Sequence, residues 1–356
     1  MATGRVAAEA LQGLAESVLV ALGVRRDHAA VTGERLVEAD LRGRTGHGII
    51  RLPSYCERIR AGGYNLRPNI AVLRDTPVSA LVDGDNALGQ VVMTRAVQVA
   101  TAKAAASGIG WVGTVHSNHA GAAGVYTALA LEAGFAALYF AVANGNGMPP
   151  WGGRERLLGT NPLAVAFPAG REPAFELDIA TTVASHGTIE VKKRSGEQLP
   201  EGWVVDFEGN PITDPHRADT GFLVPIGGYK GAGLNFMIGV LAGVMTGAAF
   251  GRDVVPFRRD HTTPTNTGQA VAVFRPDLFL EREEYERRMD GILHDFRTSE
   301  PSGRDPVRMP GDRARAVGEE NRRLGVPISE ALATELQALA DEVGVDERLA
   351  STRSSA

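Results

Sequence analysis

The fold turns on residues 93–143, MTRAVQVATAKAAASGIGWVGTVHSNHAGAAGVYTALALEAGFAALYFAVA, in which the residue pattern changes character three times. The Ala-rich run 93–106 is built from strong helix formers without glycine or proline, and it predicts a helix. Residues 109–115 switch to the β-branched and aromatic content of a strand, 120–133 return to a helical pattern, and 135–143 read as a second strand. Helix and strand in regular alternation imply an α/β layer architecture.

Working outward, IAVLRDTPVSALVDGDNALG at 70–89 joins short Val/Leu runs to Asp-Gly-Asp-Asn turn chemistry, predicting a strand, a turn and a second strand. Upstream, 5–63 carry apolar residues at three- and four-residue spacing with a break at Gly23, so two or three helices are expected, the first on the surface. Downstream, a loop-rich stretch dense in Gly and Pro contains strand-like segments at 163–167 and 174–178. A strand is expected at 269–274, a charged helix at 280–296, and further helices at 313–323 and 329–343. The division this suggests is a helical part at 1–75, an α/β part at 76–284, a C-terminal helical part at 285–345 and a disordered tail at 346–356.

Composition limits the function. The 37 Lys and Arg against 42 Asp and Glu give a formal charge of −5 with no dense basic block, which argues against nucleic acid as a partner. Cys56 is the one cysteine, so no internal disulfide framework is possible and a reducing, cytoplasmic setting is expected. The first 22 residues lack the basic start and unbroken apolar stretch of a signal peptide. The uncharged run between Lys230 and Arg252 approaches bilayer length and spaces Gly239, Gly243, Gly247 and Gly251 four apart. Asn235 and the many glycines lower its hydrophobicity, so the reading is no membrane span but a buried helix whose glycine face admits a close neighbour.

Gly108, Gly110 and Gly113 spell GxGxxG, the phosphate-cradling fingerprint of the common dinucleotide fold, but in the wrong context. That motif follows a strand and opens a helix, whereas here a helix precedes it and a strand follows. A helix stop is the better reading. The segments that do combine glycine with titratable side chains are ADLRGRTGHGIIRLPSY at 39–55, VHSNHAGAAG at 115–124, PPWGGRERLLGTNPLAVAFP at 149–168, LDIATT at 177–182 and GGYKGAG at 227–233.

As an ordered set over nearly the whole chain, these segments resemble the malate/L-lactate dehydrogenase family of type 2, which includes ureidoglycolate and sulfolactate dehydrogenases and diketogulonate reductases. The resemblance implies an α/β fold: a mixed-sheet, non-Rossmann NAD(P)-binding domain plus a mostly helical domain from the N- and C-terminal regions. It implies NAD or NADP as cofactor, a small 2-oxo or 2-hydroxy acid as substrate, and a homodimer. The glycine ladder at 239–251 would suit tight packing in such a dimer.

The chemistry needs a proton donor at the carbonyl oxygen and a cation for the carboxylate. Histidine, with an ordinary pKa of ~6.5, suits the first task; His47 and His119 are the candidates, each matching a family acid/base, and the sequence does not rank them. Arg51 follows His47 by four residues, and on a helix the two would share a face, placing a guanidinium where it could grip a carboxylate bidentately. His116 and His119 also form an HxxH pair, but no third ligand stands at a telling interval, and a metal is not expected.

By the resemblance, Asn144 and the segment Asp178, Ile179, Ala180, Thr181 and Thr182 line the cofactor, as do Tyr229 and Lys230. Lys230 would attract a phosphate together with the N–H groups of its helix start. Gly311, Asp312 and Arg313 correspond to a further cofactor contact, while Thr160 and Asn161 in LGTNP either shape the wall of the substrate pocket or make a tight turn, two readings of equal weight. Two departures from the family pattern are Gly46, where serine is usual before the first histidine, and Ala120, where a bulky aromatic usually follows the second. The rival readings are a reductase of cyclic imino acids using the same residues and a non-enzymatic ligand-binding protein on the same fold.

Overall fold

A computed structural model describes residues 3–349 and 351–352. The chain opens with strand β1 (Thr3–Val6), then helices α1 (Ala8–Ala21), α2 (Arg26–Leu41) and α3 (Leu52–Arg60). Strands β2 (Ala71–Asp75) and β3 (Ser79–Asp83) lead into α4 (Gly89–Ser107), β4 (Ile109–Ser117), α5 (Gly124–Glu132) and β5 (Ala136–Ala141). Then come β6 (Leu163–Phe167), β7 (Phe175–Ile179), α6 (His186–Ser195), β8 (Val204–Val205), β9 (Phe222–Leu223) and α7 (Tyr229–Ala242). The chain closes with β10 (Thr267–Phe274), α8 (Arg282–Arg297), α9 (Asp312–Leu324), β11 (Val326–Ser329), α10 (Glu330–Glu342) and β12 (Ser351–Thr352).

Seven strands form one mixed sheet in the order β2-β3-β4-β10-β5-β6-β7, in which only β3 and β4 run parallel. Helices α4 and α5 cover one face through an alanine-rich core that includes Ala96, Ala100, Val112, Tyr126 and Val271. Helix α7 covers the other, Ile238 and Ala242 packing on Phe140 and Ala270. A second body is helical: Leu11, Leu14, Val18 and Leu19 of α1 share a core with Leu36, Tyr55, Ile328 and Leu336. The expected α/β class, with a mixed sheet and a helical body drawn from both chain ends, is therefore what the chain forms.

Four local expectations change. Residues 3–6 do not begin the first helix but pair antiparallel with β11, which ties the two chain ends together. The turn between β2 and β3 is Thr76–Val78, with Thr76 Oγ1 accepting the Ser79 N–H; Asp-Gly-Asp-Asn instead turns the chain from β3 toward α4, with Asp85 and Asn86 at φ 46° and 57°. The uncharged run is not one helix. Helix α7 ends at Ala242 and the chain folds back, so that the Phe250 ring fills the space over Gly239, where a Cβ would stand 2.1 Å from it. Two of the ladder's glycines, 239 and 243, thus face the chain's own return segment. Within the expected tail, Ser351 and Thr352 pair with β1, while 350 and 353–356 lie outside the described residues. No described helix is long and apolar enough to cross a membrane.

The GxGxxG glycines serve packing. Gly108 caps α4 at φ 86°, and Gly110 lets α4 lie on β4, since a Cβ there would stand 2.1 Å from the Ala100 carbonyl oxygen. Replacing Gly110 by Ala should therefore cost roughly 1–3 kcal/mol of stability in urea unfolding through overpacking. A fluorescence titration of the folded variant should show unchanged nucleotide affinity; a weakened affinity would restore the phosphate-loop reading of the motif.

Candidate active site

The turn between α2 and α3 carries His47 and Arg51 on two consecutive 3-10 segments, Thr45–His47 and Ile49–Arg51. Beneath it lies Asp40 of α2, only 2% exposed, whose carboxylate accepts the Ile49 N–H at 2.6 Å. Gly48 is obligatory above it: a Cβ there would fall 2.0 Å from Asp40 Oδ1. Pro53 sits in the first turn of α3, where its missing N–H costs nothing. Arg51, Tyr55 and Arg58 then follow at i, i+4 and i+7, one stripe of the helix.

Across from this turn, the loop after β4 brings His119. The two imidazoles stack with centroids 5.7 Å apart at 19°, and Gly121 passes close to the His47 carbonyl. Tyr55 Oη lies 2.7 Å from His119 Nδ1, and Gln90 Nε2 donates to Tyr55 Oη at 2.8 Å. In this orientation Gln90 Oε1 is buried without a partner. Amide N and O can exchange places. Turning the amide lets Tyr55 donate to Gln90 Oε1 and accept from His119 Nδ1–H, leaving Nε2 bare as a base.

Burial first, and then the charges of Arg51, Arg258 and Arg44, push the His47 imidazole down to about 3. Burial likewise lowers His119, with His47, Arg51 and Arg258 adding to it. Both rings are therefore neutral near pH 7, surrounded by guanidinium groups. An arriving carboxylate would offset those charges and make protonation of an imidazole easier in the complex than in the free protein.

The segment from Asp178 to Gly187 gathers most of the other expected residues along one rim. At its start, Asp178 faces Arg44 Nε at 3.5 Å and accepts the Gly124 N–H at 3.1 Å; burial raises its carboxyl, and Arg44 and that N–H act against the rise. Ile179 and Ala180 are half-buried. Thr181 is turned inward: its hydroxyl meets the Thr160 and Asn161 carbonyls at 3.0 Å each and accepts from Asn235 Nδ2 at 2.8 Å. Thr182 Oγ1 donates to Ala184 O. Ile226 N–H meets Thr181 O at 3.0 Å, which places Tyr229 and Lys230 just beyond this rim, both exposed, with Tyr229 against Trp151. At the far end Gly187 leaves room for Arg51, and its Cβ position lies 4.0 Å from Gly46 Cα.

Asn144 stands behind the histidines. Its side chain donates to Thr267 Oγ1, its carbonyl accepts the Phe257 N–H at 3.1 Å, and Thr267, Thr265 and Asn118 continue the hydrogen-bond chain to the residue before His119. Gly311, Asp312 and Arg313 stand apart from the histidines. Gly311 packs on Glu176, the Asp312 carboxylate is taken by Arg297 and Arg315, and Arg313 is exposed. The next residue, Ala314, lines a small cleft together with Arg42, Arg44, Gly124 and Asp178. His116 turns away from His119, its Nδ1 lying 3.0 Å from Asp83.

Sequence reasoning missed Tyr55, Gln90, Asp40, Phe257 and Arg258. Tyr55 had a signal, since it continues the spacing that paired His47 with Arg51. Arg258 had none, because FRRD in a loop reads as an ordinary solvated charge cluster.

A model of the malate/L-lactate dehydrogenase family matches residues 6–337. The L-sulfolactate dehydrogenase of Methanocaldococcus jannaschii is 36% identical over 333 residues, covering 92% of this chain and 94% of that protein. Ureidoglycolate dehydrogenase (NAD(+)) of Escherichia coli K12 is 35% identical over 308 residues, covering 86% and 87% respectively. Among solved structures, malate dehydrogenase from Pyrococcus horikoshii superposes with a TM-score of 0.88 at 33% identity over 97% of both chains.

The Asp40 carboxyl under the turn that carries His47 and Arg51 is pushed up to about 7 from an ordinary 3.8 by burial, the Ile49 N–H working the other way. Because the folded value lies above the unfolded one, the stability this group contributes is complete below pH 3.8 and lost as pH rises through 7. Asp40→Asn keeps the acceptor and removes the ionisation. It should exceed the parent in urea unfolding by up to ~4 kcal/mol at pH 8, with the gap closing toward pH 4; a pH-independent difference would contradict this account.

Proposed function

The chain belongs to the malate/L-lactate dehydrogenase family, and from that premise we propose that it is an NAD(P)-dependent oxidoreductase acting at C2 of a small 2-hydroxy or 2-oxo acid. The observation that carries the reading is the stacked His47–His119 pair set against Arg51 in one cleft. A proton acceptor and a carboxylate receptor lie together there, as interconversion of a hydroxyl and a carbonyl beside a carboxylate requires.

The residues fit a dinucleotide. Helix α7 starts at Gly228 without a side-chain cap, so its first N–H groups and the exposed Lys230 can receive a phosphate. His47 Nδ1 and Asn146 Oδ1 are buried without partners, as groups awaiting a ligand are. Lys230, Tyr229, Asn144 and the segment 178–182 would hold the cofactor, with Gly311, Asp312 and Arg313 beyond Asp178. When bound, NAD(P) supplies or accepts the hydride at C2.

The chain's own residues handle charge and proton. Arg51, its Nε anchored on the Gly46 carbonyl at 2.7 Å, presents its terminal nitrogens to the substrate carboxylate, and Thr160 contributes to the pocket for the rest of the acid. His119 takes the hydroxyl proton on Nε2 in oxidation and returns it in reduction, while Tyr55 and Gln90 hold Nδ1 through either direction. The neutral state that burial imposes on His119 suits it as a base. His47, stacked beside it, offers its partnerless Nδ1 to the bound ligands.

We assign a homodimer as the assembly: Phe236, Met237, Val244 and Met245, on α7 and the turn after it, are each at least 41% exposed, an apolar surface that a second copy would cover. The free, buried thiol of Cys56 suits a reducing compartment such as the cytoplasm. Light scattering should return twice the mass of one chain; a monomer would remove the assembly from the reading.

Nicotinamide fluorescence should detect binding of NADH or NADPH, and a panel of 2-oxo acids should show turnover. His119→Asn should lower kcat at least 100-fold and Tyr55→Phe about 10-fold, with cofactor affinity little changed in both. Unimpaired turnover in His119→Asn would overturn the acid/base assignment, and absence of cofactor binding by the parent would overturn the enzyme.

A further inference from the structure

Among the described residues Arg58 is the largest fully buried side chain, at 0% exposure, and it meets main chain and rings. Its Nη1 donates to the Asp260 carbonyl at 2.6 Å and its Nη2 to the Thr263 carbonyl. Its guanidinium lies 5.6 Å from the Tyr64 ring centre and 5.4 Å from that of Phe257. Burying a cation is costly unless its donors are met, and a guanidinium bridging two carbonyls between two rings meets that condition with its planar fork. Even so, Nε is left without a partner. A leucine or methionine would fill the space without burying a charge, so stability alone does not account for Arg58.

What the grip delivers lies one turn away. Residues 257–263 form a loop whose free end is the active site: the Phe257 ring packs 5.4 Å from His119 and 5.8 Å from Tyr55. Asn144 O accepts the Phe257 N–H, and Asp260 closes the loop by accepting the Thr262 and Thr263 N–H groups. Gly63 is needed beneath it, since a Cβ there would stand 2.1 Å from His261 O and 2.7 Å from Arg58 Cγ. Arg258 directly follows Phe257, whose ring packs on His119, and its charge bears on His47, His119 and His186.

We propose that Arg58 is a positioning residue for substrate: by gripping the main chain at 260 and 263 it holds Phe257 as the wall against His119 and Arg258 as a second cation of the cleft beside Arg51. Arg51, at the N-cap of α3, and Tyr55 within it reach the site directly, and Arg58, one turn further along the helix, reaches it through the loop. One helix face thereby fixes the carboxylate receptor, the histidine's hydrogen-bond partner and the loop cation relative to one another. A second guanidinium favours acids bearing two negative charges over those bearing one.

The inference rests on the 2-hydroxy acid reading and is tested with the full-length protein. Arg58→Met, Arg58→Lys, Arg258→Met and the Arg58→Met/Arg258→Met double variant are compared for kcat, KM and cofactor affinity, with folding followed by near-UV circular dichroism. Arg58→Met should raise KM about 10-fold, and more for a dianionic 2-oxo acid than for a monoanionic one, with cofactor affinity within about twofold. Arg58→Lys keeps the charge but cannot span both carbonyls, so it should fall between, and it answers the question should the methionine variant not fold. The double variant should be no worse than the poorer single, because both act through one loop. An unmoved KM with only a lowered unfolding midpoint, or effects that multiply, would overturn the role of Arg58. If the parent turned over no 2-oxo acid, the functional reading would fall and take this with it; parent turnover with an indifferent Arg58 would overturn the positioning role alone.

Discussion

The active-site turn depends on one buried hydrogen bond, that of the Ile49 N–H to the Asp40 carboxylate. A carboxyl taken so far from water is held toward its neutral form, which is costly at neutral pH, yet the chain keeps it and gives up any side chain at Gly48 to make room. The result is a turn with no conformational freedom to spare. His47 and Arg51 lie on either side of it, so their separation is set by the main chain rather than by flexible side chains.

Around this turn the site is assembled from segments remote in sequence. The 3-10 segment before α3 supplies Arg51, α3 supplies Tyr55 and Arg58, the loop after β4 supplies His119, and residues 178–187 form the rim. The sheet makes their meeting possible. Strand β10, some 130 residues after β5, lies between β4 and β5 and brings Thr265 and Thr267 beneath Asn118 and Asn144. Burial first, and then the positive charge of Arg51 and Arg258, keeps both imidazoles neutral, and an arriving anion would offset that charge and ease their protonation.

Some residues expected to face a ligand are also structural. The Thr181 hydroxyl is bound to the Thr160 and Asn161 carbonyls and to Asn235, and Asp312 is bound to two arginines. Their side chains hold the rim and the start of α9 in shape. Motif strings do not separate such roles, because a residue that fixes a loop and one that touches a ligand leave the same imprint in a single sequence.

The sequence by itself determined the alternation of helix and strand over 93–143 and the rejection of GxGxxG by its order, because these rest on period and spacing along the chain; the shared helical face expected of His47 and Arg51 gave way to two 3-10 segments divided at Gly48. It did not reveal that 3–6 form a strand, that the glycine run folds back on Phe250, or that Asp40, Gln90 and Arg258 belong to the site. Those follow from what a residue meets across the fold: a β11 edge, a ring, a buried N–H, a tyrosine hydroxyl. Only tertiary structure decided them, since pairing between distant segments is set by packing and by the need to satisfy buried polar groups, neither of which leaves a periodic trace in one sequence.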